Sequence, residues 1–293
     1  METNINDLSF HLSALKTTSN EIPILDNREP ISTFSLPSMS SCPMAADGSN
    51  HLLVYHHHAL LLFHLPKFEL LFSISLIPFI ENPISDICYY SILNCFLVSS
   101  SNTLYSLSSS RQIDIIHKFS NTIWSITHTS NYIFICYLFG FSIEQWEFNS
   151  SNGTLLNTWP KANLIESSDM GINCIRAVNQ YIGMTIKQND FSWRIDLFDI
   201  SAMNRLRRGR TIQQENNLKN WIGLLYPIDH FRWLFADGDQ GLFLIDQTDQ
   251  QEYKQIDIKK LACNICLIKN INSKTYSSIV IQSYESLHLY NLQ

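Results

Sequence analysis

Residues Ser142–Trp159, SIEQWEFNSSNGTLLNTW, hold two short apolar segments on either side of a polar turn that contains Gly153. Strand-like runs separated by Asn, Ser and Gly read as two antiparallel strands joined by a turn. The centre of the first is Ile143-Glu144-Gln145-Trp146-Glu147: an apolar residue, two others, a bulky residue, then a polar one. That pattern returns as Leu60-Leu61-Leu62-Phe63-His64, Leu104-Tyr105-Ser106-Leu107-Ser108 and Ile195-Asp196-Leu197-Phe198-Asp199. It returns twice more, as Leu242-Phe243-Leu244-Ile245-Asp246 and Leu287-His288-Leu289-Tyr290-Asn291. The bulky positions 63, 107, 146, 198, 245 and 290 are spaced by 44, 39, 52, 47 and 45 residues. A recurrence of roughly 40–45 residues is the period of a propeller blade.

The surroundings recur too. A second apolar strand and a short turn precede most copies, as in Phe96-Leu97-Val98 before Ser-Ser-Ser-Asn and Leu234-Phe235-Ala236 before Asp-Gly-Asp-Gln. A further strand follows each of the first five, for example Leu155–Trp159 and Glu252–Ile258. Each unit therefore predicts four short antiparallel strands. Six such units bury their faces only by packing on one another around an axis. The sixth unit lacks its fourth strand before Gln293, while an unassigned strand-like piece, Ile31–Leu36, precedes the first. The expectation is an all-β, six-bladed β-propeller of four-stranded antiparallel blades, its ring closed by an N-terminal strand that completes the last blade. The propeller spans 31–293, and 1–30 form a tail in which Ile5, Leu8, Leu12 and Leu15 share one helical face.

Ser142–Trp159 and RIDLFDISAMNRL (Arg194–Leu206) are similar to the third strand, Trp-Asp-like dipeptide, turn and fourth strand of the WD-repeat family. Only Trp146 is Trp at the key position, only Asp199 and Asp246 supply the following Asp, and the Gly-His dipeptide before the first strand is missing from every unit. The resemblance implies a WD-repeat-like scaffold.

Composition fits a large core: 45% of residues are hydrophobic, 12% aromatic and 16% charged. A net charge of −6 gives no general attraction to nucleic acid or to an anionic membrane. Seven cysteines, an odd number scattered through apolar segments, read as reduced thiols in the cytoplasm, with the nucleus as the alternative. The N-terminus carries acids early and has no signal-peptide pattern, and the longest apolar run, Tyr132–Phe141, is about half of what a membrane helix needs.

Candidate sites are few. His56-His57-His58 align with the turns Ser99–Asn102, Asp237–Gln240 and Gln282–Glu285, between the second and third strands of a blade. No second His or Cys cluster has the spacing to complete a tetrahedral metal site, so a turn is expected there. Cys263-Asn264-Ile265-Cys266 has CxxC spacing, but on a strand residues three apart face opposite ways, and core thiols are expected. Asp237 and Asp239 are too few oxygens for calcium. No nucleophile elbow, Walker loop or HExxH is present, so neither an enzyme nor a cofactor or metal is expected.

Arg205-Leu206-Arg207-Arg208-Gly209-Arg210 falls on the outermost strand of the fourth blade, where solvent-exposed guanidinium groups are expected. Its Leu-Arg-Arg-Gly resembles a motif of the phosphoinositide-binding propellers of autophagy. That resemblance implies Arg207 and Arg208 as headgroup ligands, and a charged edge that repels strand pairing accounts for them equally. The main expectation is a non-catalytic protein–protein interaction module, a scaffold or adaptor subunit within a larger complex. Its partner face is the one on which the second-to-third turns and the inter-blade loops emerge, with His57, Phe139, Phe141, Asp239, Tyr284 and Glu285 as contacts. The alternatives are the lipid-binding propeller and a propeller hydrolase with a metal in its channel.

Overall fold

A computed structural model describes residues 25, 29–36, 43–47, 50–77, 80, 82–149, 152–213, 223–248, 253–258, 261–269 and 276–292. The helical pattern expected at Ile5–Leu15 and the thiol of Cys42 lie outside them. The first strand, β1 (Ser32–Ser35), pairs with the last in the chain; the rest follow blade by blade. Blade one is β2 (Met44–Ala46), β3 (His51–His56), β4 (Ala59–His64) and β5 (Glu69–Ser75), and blade two is β6 (Ile84–Tyr90), β7 (Cys95–Ser100), β8 (Thr103–Ser108) and β9 (Ile113–Lys118). Blade three holds β10 (Ile123–His128), β11 (Ile133–Tyr137), β12 (Ser142–Asn149) and β13 (Asn152–Pro160). Blade four holds β14 (Asp169–Val178), β15 (Tyr181–Gln188), β16 (Trp193–Asp199), β17 (Arg205–Arg207) and β18 (Thr211–Ile212). Blade five has β19 (Leu224–Pro227), β20 (Arg232–Ala236), β21 (Leu242–Asp246) and β22 (Tyr253–Ile256). Blade six has β23 (Asn264–Lys269), β24 (Tyr276–Gln282), β25 (Ser286–Asn291) and, on its outer edge, β1.

The closure predicted from Ile31–Leu36 is present. Ser32, Thr33, Phe34 and Ser35 lie opposite Leu289, His288, Leu287 and Ser286 in antiparallel register. Backbone bonds at both ends, Ile31 N–H to Leu289 O (2.8 Å) and Leu36 N–H to Glu285 O (2.9 Å), extend the ladder. The hydroxyl of Thr33 lies 3.2 Å from Nδ1 of His288.

The five-residue pattern has a single physical cause. All six copies lie on third strands, and two side chains three residues apart on a strand point to opposite faces. Since a blade is sandwiched between two neighbours, both faces are buried. The bulky residues Phe63, Leu107, Trp146, Phe198, Ile245 and Tyr290 each join the core shared with the preceding blade. Their partners three residues earlier, Leu60, Leu104, Ile143, Ile195, Leu242 and Leu287, each join the core shared with the following blade. The protein thus has a separate apolar cluster at each blade-to-blade interface instead of one central core. Leu25 is buried in the cluster between blades five and six.

The outer edge of blade four differs from the continuous strand expected over Arg205–Arg210. It is broken into β17 and β18, which both pair with β16. At the break Gly209 lies so close to β16 that a Cβ there would sit 2.1 Å from the carbonyl oxygen of Ile195, and its N–H donates to Asp196 Oδ1 at 3.0 Å. No other residue fits that approach.

Candidate binding face at the channel mouth

Every inner strand starts at one face of the ring, and every second-to-third turn returns to that same face. The inner-strand starts line a cavity of about 560 Å³ at the mouth of the central channel. Pro43, Ile84, Thr122, Trp124, Asn173, Leu224 and Asn264 form its wall. Ser101 and Leu138, from second-to-third turns, reach the same cavity.

The wall is held by charge. Asp86 on β6 and Arg176 on β14 form a two-pronged ion pair, Nη1 to Oδ2 at 2.8 Å and Nη2 to Oδ1 at 2.9 Å. Asp86 Oδ2 also accepts from the Ser125 hydroxyl (2.8 Å) and the Ile126 N–H (2.9 Å), and Oδ1 from the Ile87 N–H (2.9 Å). Arg176 Nη1 donates further to the carbonyls of Ile175 and Ile126. Blades two, three and four are thereby tied together at the channel wall. Both oxygens of Asp86 are occupied by donors, so this inner-strand acid has no lone pair left over for a metal or an activated water.

The turns place the predicted contacts as follows. His57 and His58 are exposed and form a two-residue hairpin turn with φ of 45° and 60°, the left-handed conformation of a type I′ turn. Asn-Gly suits that turn better than His-His, and His57→Asn with His58→Gly is expected to stabilise the fold by about 1 kcal/mol in chemical denaturation. Phe139 is 47% exposed and Phe141 68%. Phe139 itself is left-handed (φ 55°, ψ 21°), and its ring lies 5.9 Å from that of Trp124 at the cavity wall. The turn is pressed against blade four: a Cβ on Gly140 (φ 69°) would lie 2.7 Å from Ile172 Cβ. Trp124 is oriented by its Nε1–H, which donates to Asn173 Oδ1 at 3.2 Å. Glu285 is exposed, while Tyr284 and Asp239 are half-buried. Burial pushes the Tyr284 phenol up to about 12.

Behind the turns of blades four and five lies Lys187, fully buried on β15, with its ammonium 4.0 Å from the Trp193 ring centre. Burial pulls it down to about 8, against the opposing pull of Asp237, Asp239 and Asp190. A lysine that binds its proton less tightly folded than unfolded destabilises the fold below the folded pKa. That penalty is relieved as pH rises from about 8 towards the unfolded value near 10.4. Lys187→Met is therefore expected to raise stability by about 2 kcal/mol at pH 7. The gain should shrink steadily in urea melts taken up to pH 10; a gain constant with pH would refute the account.

Other sequence candidates fall elsewhere. Cys263 and Cys266 are fully buried, and burial raises the Cys266 thiol to about 12. Among the described residues no three of His, Cys, Asp and Glu converge to hold a metal. Of the fourth-blade arginines, Arg205, Arg208 and Arg210 are exposed as expected and Arg207 is half-buried, and two of them are also ion-paired. Glu166 accepts from Arg208 Nε (2.9 Å) and Arg205 Nη1 (3.2 Å), and Arg205 also reaches Asp196 at 3.3 Å. The Arg208 hydrogen bond holds the Glu166 carboxyl below its ordinary range. Carboxylates packed beside a guanidinium-rich strand recover part of its charge cost.

Sequence reasoning missed Asp86, Arg176, Trp124, Asn173 and Lys187. The one available signal was a charge inside an apolar strand, Arg176 in INCIRAV and Lys187 in YIGMTIK.

With this geometry the chain is similar to the WD40 β-propeller domain of Doa1, at a TM-score of 0.55 over 86% of this chain and 78% of that one. The fold is WD40-like. At 11% identity the likeness extends to the fold alone. No family model matches the sequence, and no curated protein does.

Proposed function

We propose that the protein is a non-catalytic interaction module, a scaffold or adaptor subunit, that binds another protein across the channel-mouth face. The observation that carries this is Phe139. A non-glycine residue in the left-handed region costs about 1 kcal/mol or more. Here that conformation sets an aromatic ring beside Trp124 at an open cavity, with Phe141 exposed next to it. Exposed aromatics at the edge of a cavity are how interfaces are anchored. The six described thiols, all unbridged, fit a cytoplasmic or nuclear setting.

Incorporation of a photo-crosslinking amino acid at Phe141, and separately at Ile92 on the opposite face, tests the reading in cell extract. Crosslinks to a partner are expected from position 141 and not from position 92; crosslinks from position 92 alone would refute it. The lipid reading is the weaker one, since Glu166 already holds Arg208. Arg207→Thr with Arg208→Thr is expected to leave liposome flotation unchanged. A hydrolase would need a channel acid free to act, and Asp86 is fully engaged by its donors.

A further inference from the structure

Along its second-to-third turns the channel-mouth face is divided by charge; Lys118, opposite Thr103, and Lys161, whose N–H donates to Phe141 O, flank the turns of blades two and three. The second-to-third turns of blades one to three are His57-His58, Ser101-Asn102 and Leu138–Phe141, without a single Asp, Glu, Lys or Arg. Those of blades four to six, 189–192, 237–241 and 283–285, carry Asp190, Asp237, Asp239 and Glu285 and again no Lys or Arg. The uncharged turns hold the exposed Phe139 and Phe141, Ile77 is exposed in the loop between blades one and two, and Trp124 lines the cavity with its ring 5.9 Å from that of Phe139. On the acidic half, Asp190 and Glu285 are exposed. Asp239 Oδ2 lies beneath the rim and accepts no hydrogen bond from any described residue. The cation near these acids, Lys187, is buried below the turns.

We infer that the face takes an extended segment of another protein that is apolar at one end and basic at the other. The rests for it are an apolar ledge, Phe139 and Phe141 on blade three with Ile77 in the loop between blades one and two, and an acidic rim on blades four to six. The inference deepens the functional reading above and depends on it. An acidic or uniformly apolar segment fits worse: the first meets like charge on half the face, and the second takes the exposed Asp190 and Glu285 carboxylates out of water against apolar groups.

Random-peptide phage selection on the immobilised full-length chain supplies the probe, and selected peptides are then measured by fluorescence anisotropy. Enrichment of peptides that combine aromatic or aliphatic residues with Lys or Arg is expected. Phe139→Ser with Phe141→Ser should weaken all of them. Asp239→Asn with Glu285→Gln should weaken the basic ones by about tenfold at low salt and leave peptides without Lys or Arg unchanged. These positions lie in surface turns, and unchanged thermal midpoints will show that the variants fold. Selection of acidic peptides, or basic peptides indifferent to the Asp239 and Glu285 changes, would overturn the inference while the crosslink at position 141 still upheld the face. So would a full-length chain that selects nothing until residues 1–24 are removed, or that self-associates through the same residues. Those two results would seat its own tail or a second copy there.

Discussion

Asp86→Ala is expected to cost about 3–5 kcal/mol of folding stability, the range for removing one partner of a buried, hydrogen-bonded ion pair. The side chain is 9% exposed and that of Arg176 15%, and together they join three blades at the channel wall. Without Asp86, the Arg176 guanidinium is left among carbonyls in a confined site, and Ser125, Ile126 N–H and Ile87 N–H each lose an acceptor. Arg176→Leu is expected to be nearly as costly, because the Asp86 carboxylate then loses its counter-charge. The double variant Asp86→Ala/Arg176→Leu should cost clearly less than the two single changes added together, since no uncompensated charge remains. Urea unfolding of the four proteins gives the cycle. Additive losses would show that the pair does not act as a unit.

Removal of β1 is the second large effect. A chain beginning at Pro37 loses the four-residue ladder to β25 and the backbone bonds of Ile31 and Leu36. It also loses Phe34, whose ring lies 4.8 Å from Phe63 and 6.1 Å from Phe68 across the junction with blade one. An open ring exposes the apolar cluster between blades six and one, including Leu287, Leu289 and Leu52, along with an unpaired strand edge. The shortened chain is expected to aggregate or to unfold without a cooperative transition. Adding a peptide that spans residues 25–36 should restore a sharp melt. Phe34→Ala in the intact chain, where the ladder survives, should cost about 2 kcal/mol. An unchanged melt after truncation would show that β1 is not the closing element.

Much of this architecture is legible before any coordinates. The pair of apolar residues three apart, repeated at positions such as 60 and 63 or 143 and 146, encodes a strand buried on both faces. Only sheets packed on both sides need such a pattern six times over. The missing fourth strand of the last unit and the surplus piece at Ile31–Leu36 then dictate closure. The candidate face was legible only in outline. The alignment of turns shows that His57, Phe139, Asp239 and Glu285 share one side, because strand direction alternates strictly within a blade. Exposure, however, depends on what each turn lies against. Phe139 is held outwards by the contact of Gly140 with Ile172, thirty-two residues away in sequence.

The chain by itself determined the strand count per unit, the number of units, the closing strand and the side on which the turns emerge. All follow from local periodicity, which is a property of neighbouring residues. The tertiary structure alone decided that Asp86 meets Arg176 across ninety positions, that Glu166 holds Arg208 across forty-two, and that Lys187 is buried behind the acidic turns. Those pairings join different blades or distant turns, and the curvature of the ring that brings them together is written in no single repeat. The three histidines at 56–58 belong to the first kind: a strand end and a hairpin turn, given a place on the candidate face only by the five blades beside it.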